Sequence, residues 1–431
     1  MRRLAACLFV LSFAAAPLLA QDQDRAQDAI RIGITYRPGT RPGLVVLPGT
    51  GLDSVRAMLR RDLDYSDRFQ MIEAGSGGGG GAVNYSYYRT QFNADHAVEL
   101  VAAPGGVSVR LHDLAAGRVR NQQVFALPAE TAGNFRMAVH RIADEVTRWA
   151  SGTDGYAASR LLILSGDRIY QVDSDGADLA PVTPAGEKAL SNVWAPDGRR
   201  FAYTRFSAGR GTIVIRDLAG GSSVAHGTAT ELNFSPAFSP DGRTLAFARA
   251  EESGATNIFV SNVASGCCLQ RLTVRNFADN LSPTYSPDGR RIAYVSSRAG
   301  PPQIYVMSAD GTDQEVLAPF DYGATGPSFA PEWSPDGASV VFHREVSRSP
   351  QIFILDVASG RVKQLTSVGR NEDATWAPDG RHVAFISDRT GRRQVWVVDT
   401  ETGRVRQIST AGSARLPSWS RRLGGSAGSN P

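Results

Sequence analysis

The chain has 431 residues, of which 42% are hydrophobic and 20% charged, and its formal net charge is +4. These proportions are those of an ordinary globular protein and exclude a disordered chain, while the length exceeds what one hydrophobic core usually holds. Two of the basic residues, Arg2 and Arg3, open the chain, and no basic run with interleaved aromatic residues follows. Nucleic-acid binding is therefore not expected.

The first 20 residues have the organisation of a secretory signal. The pair Arg2-Arg3 is followed by an apolar stretch from Leu4 to Leu19, and Ala20 precedes the polar Gln21-Asp22-Gln23-Asp24. The apolar stretch is short for a membrane span. We therefore expect cleavage near Ala20 and a soluble, exported product.

Residues 21–150 predict an α+β domain with a mixed sheet and two helices. Alternation in Ile30–Thr35 indicates a half-buried strand, and the apolar run Leu44–Leu47 indicates a strand buried on both faces. A helix beginning near Asp53, a three-strand meander and a closing amphipathic helix follow. The expected segments are Asp53–Leu63, Phe69–Ile72, His96–Val101, Val107–Leu111, Arg118–Phe125 and Phe135–Trp149. The glycine run Gly77–Gly81 predicts a loop, since it lacks the Lys-Ser/Thr of a nucleotide-binding loop.

Beyond residue 160 one unit recurs: an aromatic residue followed by Ser/Ala-Pro-Asp-Gly. The copies are spaced by 43 to 48 residues, and they begin at Trp194, Phe238, Tyr285, Trp333 and Trp376, with a broken copy at Trp419. A period in the forties made of short apolar runs and turns is typical of a β-propeller. Pro, Asp and Gly each suit a tight turn, so we interpret the repeated aspartates as structural.

The two ends of this region predict how the ring closes. Residues 160–183 supply three strands with no aromatic-led strand before them, and Leu416–Ser420 supplies an aromatic-led strand with none after it. Together they complete a sixth blade, and such closure removes open sheet edges. The expected architecture is an α+β N-terminal domain followed by an all-β six-bladed β-propeller over residues 160–420, closed by the C-terminal strand, with a disordered tail at 421–431.

No catalytic, cofactor or metal site is expected. The histidines show no ligand spacing, and Asp173–Asp178 resembles the start of a calcium loop but lacks its twelfth ligand. Gly424–Gly428 matches G-x-S-x-G, yet no Asp or His follows it, so a hydrolase is rejected. The adjacent Cys267 and Cys268 precede a strand-like segment, where neighbouring side chains point to opposite faces, and are interpreted as two small apolar residues on a blade edge.

The remaining candidate is a recognition face around the propeller channel. Asn233, Asn280 and Asn371 each stand five residues before an aromatic residue, where other copies have Ser328 and Ala414. Short amides and charges around a concave ring suit recognition of a protein, while turn-stabilising asparagine is the alternative interpretation. The predicted partner-binding residues are Asn192, Asn233, Asn280, Phe329, Glu372, Asp373 and Arg415.

The two domains and their order resemble the TolB family, periplasmic propeller proteins of the Tol-Pal envelope system. The resemblance rests on the signal peptide, the strand Ile30–Thr35, the helix Asp53–Leu63, the closing segment Phe135–Gly152, the Pro-Asp-Gly blades and the terminal Leu416–Ser420. It implies a monomeric, non-catalytic scaffold without cofactors, peripheral to the membranes, that supports outer-membrane constriction at cell division and envelope integrity.

The resemblance also implies two partners. The lipoprotein Pal, with other outer-membrane lipoproteins as further candidates, would bind the propeller face. TolA would bind the segment after the signal peptide, which on this chain contains Asp22, Asp24, Asp28, Ile30, Arg31 and Ile32. The alternative is an exported stand-alone propeller that binds a glycan or a peptide.

Overall fold

The structure is a computed structural model, and it describes residues 41–73, 83–220, 224–226, 231–252, 254–274, 278–320, 325–408 and 412–423. The chain from Arg41 onward forms one compact unit. The predicted signal peptide, the segment with the strand Ile30–Thr35, the glycine run and the residues after Leu423 lie outside the described residues. No helix in the described ranges is long and apolar enough to cross a membrane.

A five-stranded mixed sheet opens the described chain. Its order is β2-β1-β3-β4-β5, with β1 parallel to β2 and β3 and the other neighbours antiparallel. The strands are β1 (Gly43–Val46), β2 (Gln70–Ile72), β3 (His96–Ala103), β4 (Gly106–Asp113) and β5 (Arg118–Ala126). The helices are α1 (Asp53–Tyr65), α2 (Tyr85–Phe92) and α3 (Phe135–Ser151).

Helices cover both faces of this sheet. Leu44 and Val46 of β1 pack in one core with α1 and α3, while Val45 packs in a second core with Tyr88 of α2. The apolar run is therefore buried on both faces, as predicted. The prediction of two helices is wrong, because α2 is a third helix. Only Tyr88 of its eight residues is buried, so its sequence has no clear apolar period from which a helix could be predicted. Asn84 caps α2 by accepting the Tyr87 N–H at 3.0 Å.

The described remainder of the chain consists of short strands in propeller-like sheets. Four sheets have four strands each, in the orders β29-β6-β7-β8, β17-β18-β19-β20, β21-β22-β23-β24 and β25-β26-β27-β28. Their strands are β6 (Arg160–Ser165), β7 (Arg168–Asp173), β8 (Ala180–Pro181), β17 (Asn280–Tyr285), β18 (Arg291–Ser296), β19 (Gln303–Ser308), β20 (Glu315–Val316), β21 (Ser328–Trp333), β22 (Ser339–Val346), β23 (Ser349–Asp356), β24 (Val362–Gln364), β25 (Asn371–Trp376), β26 (His382–Ser387), β27 (Gln394–Asp399), β28 (Val405–Gln407) and β29 (Ala414–Trp419). The pairing of β29 with β6 confirms that the C-terminal strand completes the sheet begun at residue 160.

The expectation of six separate blades is corrected, because two repeats share one eight-stranded sheet. It contains β9 (Lys188–Trp194), β10 (Arg200–Ser207), β11 (Arg210–Asp217), β12 (Val224–His226), β13 (Leu232–Phe238), β14 (Thr244–Ala250), β15 (Thr256–Asn262) and β16 (Gln270–Arg271). The halves meet where Gly211 of β11 pairs in parallel with Leu232 of β13. A Cβ on Gly211 would lie 2.7 Å from Leu232 Cδ1 and 2.8 Å from the Asn233 carbonyl oxygen, so only glycine permits this approach.

Every first strand of a repeat contains a β-bulge just before its aromatic residue. Five of these strands place a non-glycine residue at positive φ three positions before the aromatic, and the next residue is proline in four of them. The positive-φ residues are Ser235, Ser282, Ala330, Asp373 and Leu416. Proline has no N–H to donate to the ladder, so it suits a bulge, where the ladder is interrupted.

The Ser/Ala-Pro-Asp-Gly segments are tight turns, as predicted. Gly242 has φ +70, and Asp241 Oδ1 accepts the Arg243 N–H at 3.0 Å and the Ser239 hydroxyl at 2.6 Å. The turns also pack on one another: a Cβ on Gly289 would touch the Pro240 ring of the preceding turn at 3.5 Å. The aspartates therefore bond within their own turns.

Candidate functional site

The first strands of all six repeats line a central channel of about 660 Å³. The bulged positions face it, and five turn prolines line it as well. Representative wall residues are Asn192, Pro236, Pro283, Pro331, Asp373 and Pro417. The wall is thus mainly proline, small and hydroxyl side chains. At the end that bears the Pro-Asp-Gly turns, Asp154, Gly155, Arg421 and Arg422 also line the channel.

The predicted amide ring does not form an exposed face. Asn233, Asn280 and Asn371 are each 0% exposed, as are Ser328 and Ala414 in the same register. This part of the prediction is wrong, because each amide is buried and donates hydrogen bonds to the repeat that precedes it. The Asn233 Nδ2 donates to the Gly211 carbonyl at 2.9 Å, and the Asn371 Nδ2 donates to Gln351 Oε1 at 2.7 Å.

Each buried amide or hydroxyl also holds an arginine against two aromatic rings. Arg249 Nε donates to Asn233 Oδ1 at 3.0 Å, and its guanidinium lies 4.4 Å from the Phe259 ring centroid. Three further repeats contain the same arrangement. The trios are Asn280, Arg298 and Tyr305; Ser328, Arg344 and Phe353; and Asn371, Arg389 and Trp396. Turn-stabilising asparagine, the alternative interpretation, is thus closer to what the structure shows.

The other predicted face residues do reach solvent. Arg415 is exposed and donates to the Gly166 carbonyl at 3.1 Å, while Glu372 is half-buried and pairs with Arg393 at 3.2 Å. Phe329 is half-buried, with its ring 5.6 Å from that of His343. Asn192 is half-buried in the channel wall and donates to the Leu416 carbonyl at 3.1 Å. The structure therefore brings Asn192 and Asp373 to the channel and leaves Phe329, Glu372 and Arg415 near its end opposite the turns.

Two carboxyl groups in and behind the channel wall hold their protons unusually tightly. Burial, with the nearby charge of Glu372, raises the pKa of Asp373 to about 6. Burial also raises the pKa of Glu332 to about 7, although its Oε1 accepts the Trp376 N–H at 2.9 Å and the Thr375 hydroxyl at 3.0 Å. His343 accepts the Asp373 N–H at 3.2 Å, and burial lowers its pKa to about 4.

At the end of the propeller that bears the Pro-Asp-Gly turns, charged residues connect the region of α1 to the propeller. Asp67, which follows α1, lies 3.2 Å from His382 Nε2 and 2.9 Å from Arg404 Nη1. The other ring nitrogen of His382 lies 2.7 Å from Asp379 Oδ2, and Asp399 pairs with Arg381. Asp379, which bonds within its own turn, thus also takes part in this contact through His382.

A second buried group joins α1 and α3 to the turn between β7 and β8. His140 Nδ1 lies 2.6 Å from Asp62 Oδ2, and its Nε2 lies 3.7 Å from Asp175 Oδ2. Asp175 also bonds Arg61 and Arg136. The segment that resembled a calcium loop is therefore a hairpin turn that holds the two parts of the molecule together.

Among the described residues, two groups have metal-ligand atoms within 4.8 Å of one another: Asp62, His140 and Asp175, and Asp67, His382 and Asp399. Arginines already neutralise a carboxylate in each group, Arg136 at Asp175 and Arg381 at Asp399. Both groups are therefore ion-pair networks, in the first of which His140 Nε2 has no hydrogen-bond partner. Sequence reasoning missed them because their members are far apart in the chain.

Comparisons with known proteins agree with this geometry. The family described as "TolB beta propeller domain" matches residues 164–321 and 314–424. The crystal structure of TolB from Acinetobacter baumannii is 22% identical, covers 89% of this chain and 98% of that chain, and has a TM-score of 0.78. Two more distant structures share the fold. A chain of a nidogen/laminin complex is 13% identical, covers 61% of this chain and 98% of its own, with a TM-score of 0.50. The hydrazine synthase of Kuenenia stuttgartiensis is 15% identical and has a TM-score of 0.53, and the match covers 68% of this chain and 50% of that chain.

Proposed function

The chain belongs to the TolB β-propeller family, and from this premise we propose that it is a periplasmic, non-catalytic scaffold of a Tol-Pal-type envelope system. It binds Pal through the propeller and TolA through the segment after the signal peptide, and so supports outer-membrane constriction at division. The observation that carries the proposal is the family match over residues 164–424 on a propeller closed by its C-terminal strand.

The Pal site that we propose is smaller than the one predicted from sequence. It consists of the end of the channel opposite the turns, where Arg415 is exposed and Phe329 and Glu372 are half-buried. Asn192 and Asp373 continue it into the channel wall. A half-exposed aromatic ring beside charges of both signs suits an interface with an apolar centre and a polar rim. The buried Asn233 and Asn280 support this surface from within the blades.

The TolA site rests on family membership alone. Asp22, Asp24, Asp28, Ile30, Arg31 and Ile32 lie outside the described residues, and so does the signal sequence that would export the chain. We propose that this segment binds TolA as an extended peptide. Acidic residues and alternating isoleucines suit pairing with the edge of a partner's sheet.

Calorimetric titration tests the Pal site. Residues 21–431 are titrated with the soluble part of Pal from the same genome. We expect one-to-one binding that Arg415→Glu and Glu372→Lys each weaken at least tenfold. Arg290→Glu is the matched control, since Arg290 is an exposed arginine at the turn-bearing end.

The outcomes separate the parts of the proposal. If neither Arg415→Glu nor Glu372→Lys weakened binding, the protein would still bind Pal, but through a different surface. Equal weakening by the Arg290 control would show a non-specific charge effect. An absence of Pal binding by the unmodified protein would favour the alternative, an exported propeller that binds a glycan or a peptide.

The N-terminal site is tested by deletion. A protein that begins at Thr35 should lose binding to the soluble domain of TolA and keep its affinity for Pal. Retained TolA binding would contradict the assignment of that site, and simultaneous loss of Pal binding would indicate misfolding.

A further inference from the structure

Cys267 and Cys268 lie side by side at the surface, in the loop that joins β15 to β16. Both are exposed, and their sulfur atoms are 2.7 Å apart. They precede the strand β16 (Gln270–Arg271), as predicted. The expectation that their side chains point to opposite faces is wrong, because the two sulfur atoms converge.

The backbone explains why the two thiols converge. Cys268 has φ +61, in the left-handed region that non-glycine residues rarely adopt, and this turns its side chain back toward Cys267. The loop is pinned from several sides. Asn262 N–H donates to the Cys267 carbonyl at 3.0 Å, Gly266 N–H donates to the Asn262 carbonyl at 2.8 Å, and Asn262 Oδ1 accepts the Ser265 N–H at 3.1 Å.

One of the two thiols is prepared to react as a nucleophile. The Ser265 hydroxyl lies within hydrogen-bond distance of two acceptors, Cys267 Sγ at 3.1 Å and Asn262 Oδ1 at 3.0 Å. The hydrogen bond from the Cys268 thiol, followed by that from Ser265, lowers the pKa of the Cys267 thiol. The thiolate is the nucleophilic form of cysteine, and an exposed thiol whose pKa is lowered by hydrogen bonds ionises and reacts more readily.

We propose that Cys267 and Cys268 form an oxidisable dithiol that closes to a disulfide between neighbouring residues. The oxidant is a disulfide, either a small molecule such as oxidised glutathione or a thiol-oxidising protein. The Cys267 thiolate attacks one sulfur of the oxidant and releases its first thiolate. Cys268 loses its proton and attacks Cys267 Sγ, which releases the second thiolate. The protein loses two electrons and two protons, and the oxidant becomes two thiols.

Geometry favours closure within the chain over pairing between molecules. A disulfide bond measures about 2.03–2.05 Å, so the sulfur atoms need to approach by less than an ångström. Groups held so close react with effective molarities far above any protein concentration. The proposal rests on the proposed function only for the oxidising compartment in which the site would be used. Its chemistry is tested on the purified protein without Pal or TolA, so the two can fail separately.

The test follows the mass of one peptide. Reduced protein comprising residues 21–431 is incubated with oxidised glutathione, the remaining thiols are alkylated, and the denatured protein is digested with trypsin. The peptide from Ala250 to Arg271 contains both cysteines. We expect it to be unalkylated and two hydrogen atoms lighter than the reduced peptide, from a protein that remains monomeric. Cys267→Ser and Cys268→Ser should each leave one cysteine and abolish this species.

A variant of Ser265 distinguishes a dithiol that its surroundings activate from two ordinary surface thiols. Ser265→Ala removes the hydrogen bond to Cys267 and should slow closure severalfold, while the exposed Ser359→Ala should leave it unchanged. Two alkylated cysteines after oxidation, a disulfide-linked dimer as the main product, or glutathione retained on one cysteine would overturn the proposal.

Discussion

At the level of single residues, the recurring asparagine has an internal role. Asn371 donates to Gln351 Oε1 and to the carbonyls of Val368 and Gly369, and it accepts from Arg389 at 3.0 Å. The arginine in turn lies 4.8 Å from the Trp396 ring centroid. One amide therefore satisfies the backbone of a loop and orients a cation over an aromatic ring, which explains its recurrence five positions before the aromatic residue.

We predict that Asn371→Ala lowers the free energy of unfolding by about 1–3 kcal/mol, because it leaves buried polar groups unpaired. Urea denaturation followed by tryptophan fluorescence measures the change. The control Glu252→Ala alters an exposed residue and should stay within about 0.5 kcal/mol of the unmodified protein. A loss for Asn371→Ala no larger than that for the control would contradict this internal role of the buried amide.

At the level of elements, the pairing of two repeats through Gly211 shows how one residue can merge neighbouring sheets. The remaining repeats meet by side-chain packing, as where Ile258 and Tyr294 share a core. At the merged joint the backbone approaches more closely than side chains would allow, and the Thr204 hydroxyl adds a bond to the Asn233 carbonyl at 3.2 Å. The joint should therefore be sensitive to a single methyl group.

Gly211→Ala should destabilise the protein by about 1–3 kcal/mol, because the added Cβ meets atoms on three sides of the joint. Gly133→Ala is the matched control, since a Cβ at Gly133 meets nothing within 4 Å. Thermal unfolding of both variants measures the difference. Equal melting temperatures for the two alanine variants would show that the joint accommodates a side chain.

At the level of the whole molecule, the closure of the propeller and its attachment to the first sheet depend on the same few residues. Trp419 of the closing strand donates from Nε1 to the Ser159 hydroxyl at 2.7 Å and packs edge-on against Tyr156. Tyr156 lies in the segment that leaves the first sheet and also contacts the His382 ring, at 4.6 Å. Closure of the propeller and attachment of the preceding segment are therefore physically linked.

We expect Trp419→Ala to lower the free energy of unfolding by about 3–5 kcal/mol, since it leaves a cavity beside the closing strand. Chemical denaturation measures the loss of unfolding free energy. The exposed Leu269→Ala is the control for a lost apolar side chain. A loss below about 1 kcal/mol would mean that β29 contributes little to closure.

The contact between first sheet and propeller should depend on pH through His382. Burial opposes its charged form, but the charge of Asp379 and the hydrogen bonds to Asp379 and Asp67 raise its pKa overall. Its unfolded pKa is about 6.5, so the charged ring adds stability that is fully present below that pH. This contribution is lost as the pH rises through the folded-state pKa.

The difference in unfolding free energy between the unmodified protein and His382→Gln should therefore shrink as the pH is raised above about 6.5. Urea titrations at several pH values measure it. His343→Gln is the control, because burial lowers the pKa of His343 to about 4 and its effect on stability should vary with pH only below about 6.5. A pH-independent difference for His382→Gln would contradict a charged ring in this contact.

The sequence by itself determined the features that depend on residues close together in the chain or on the spacing of repeats. The turn residues predict positive φ at Gly242 and its equivalents, the period predicts the propeller, and the incomplete repeats at the two ends predict the pairing of β29 with β6. These features follow from local backbone preferences and from the requirement that strand edges be paired, so they can be read from residue types and spacing.

Only the tertiary structure decided which polar residues are buried and what they contact. Asn233 and Arg415 are both polar residues near the start of a first strand, yet one is fully buried and the other exposed. The ion pairs of Asp67 with His382 and Arg404 join residues more than 300 positions apart. Burial and long-range pairing depend on atoms brought together by folding, because a side chain's environment is formed mainly by residues distant in sequence.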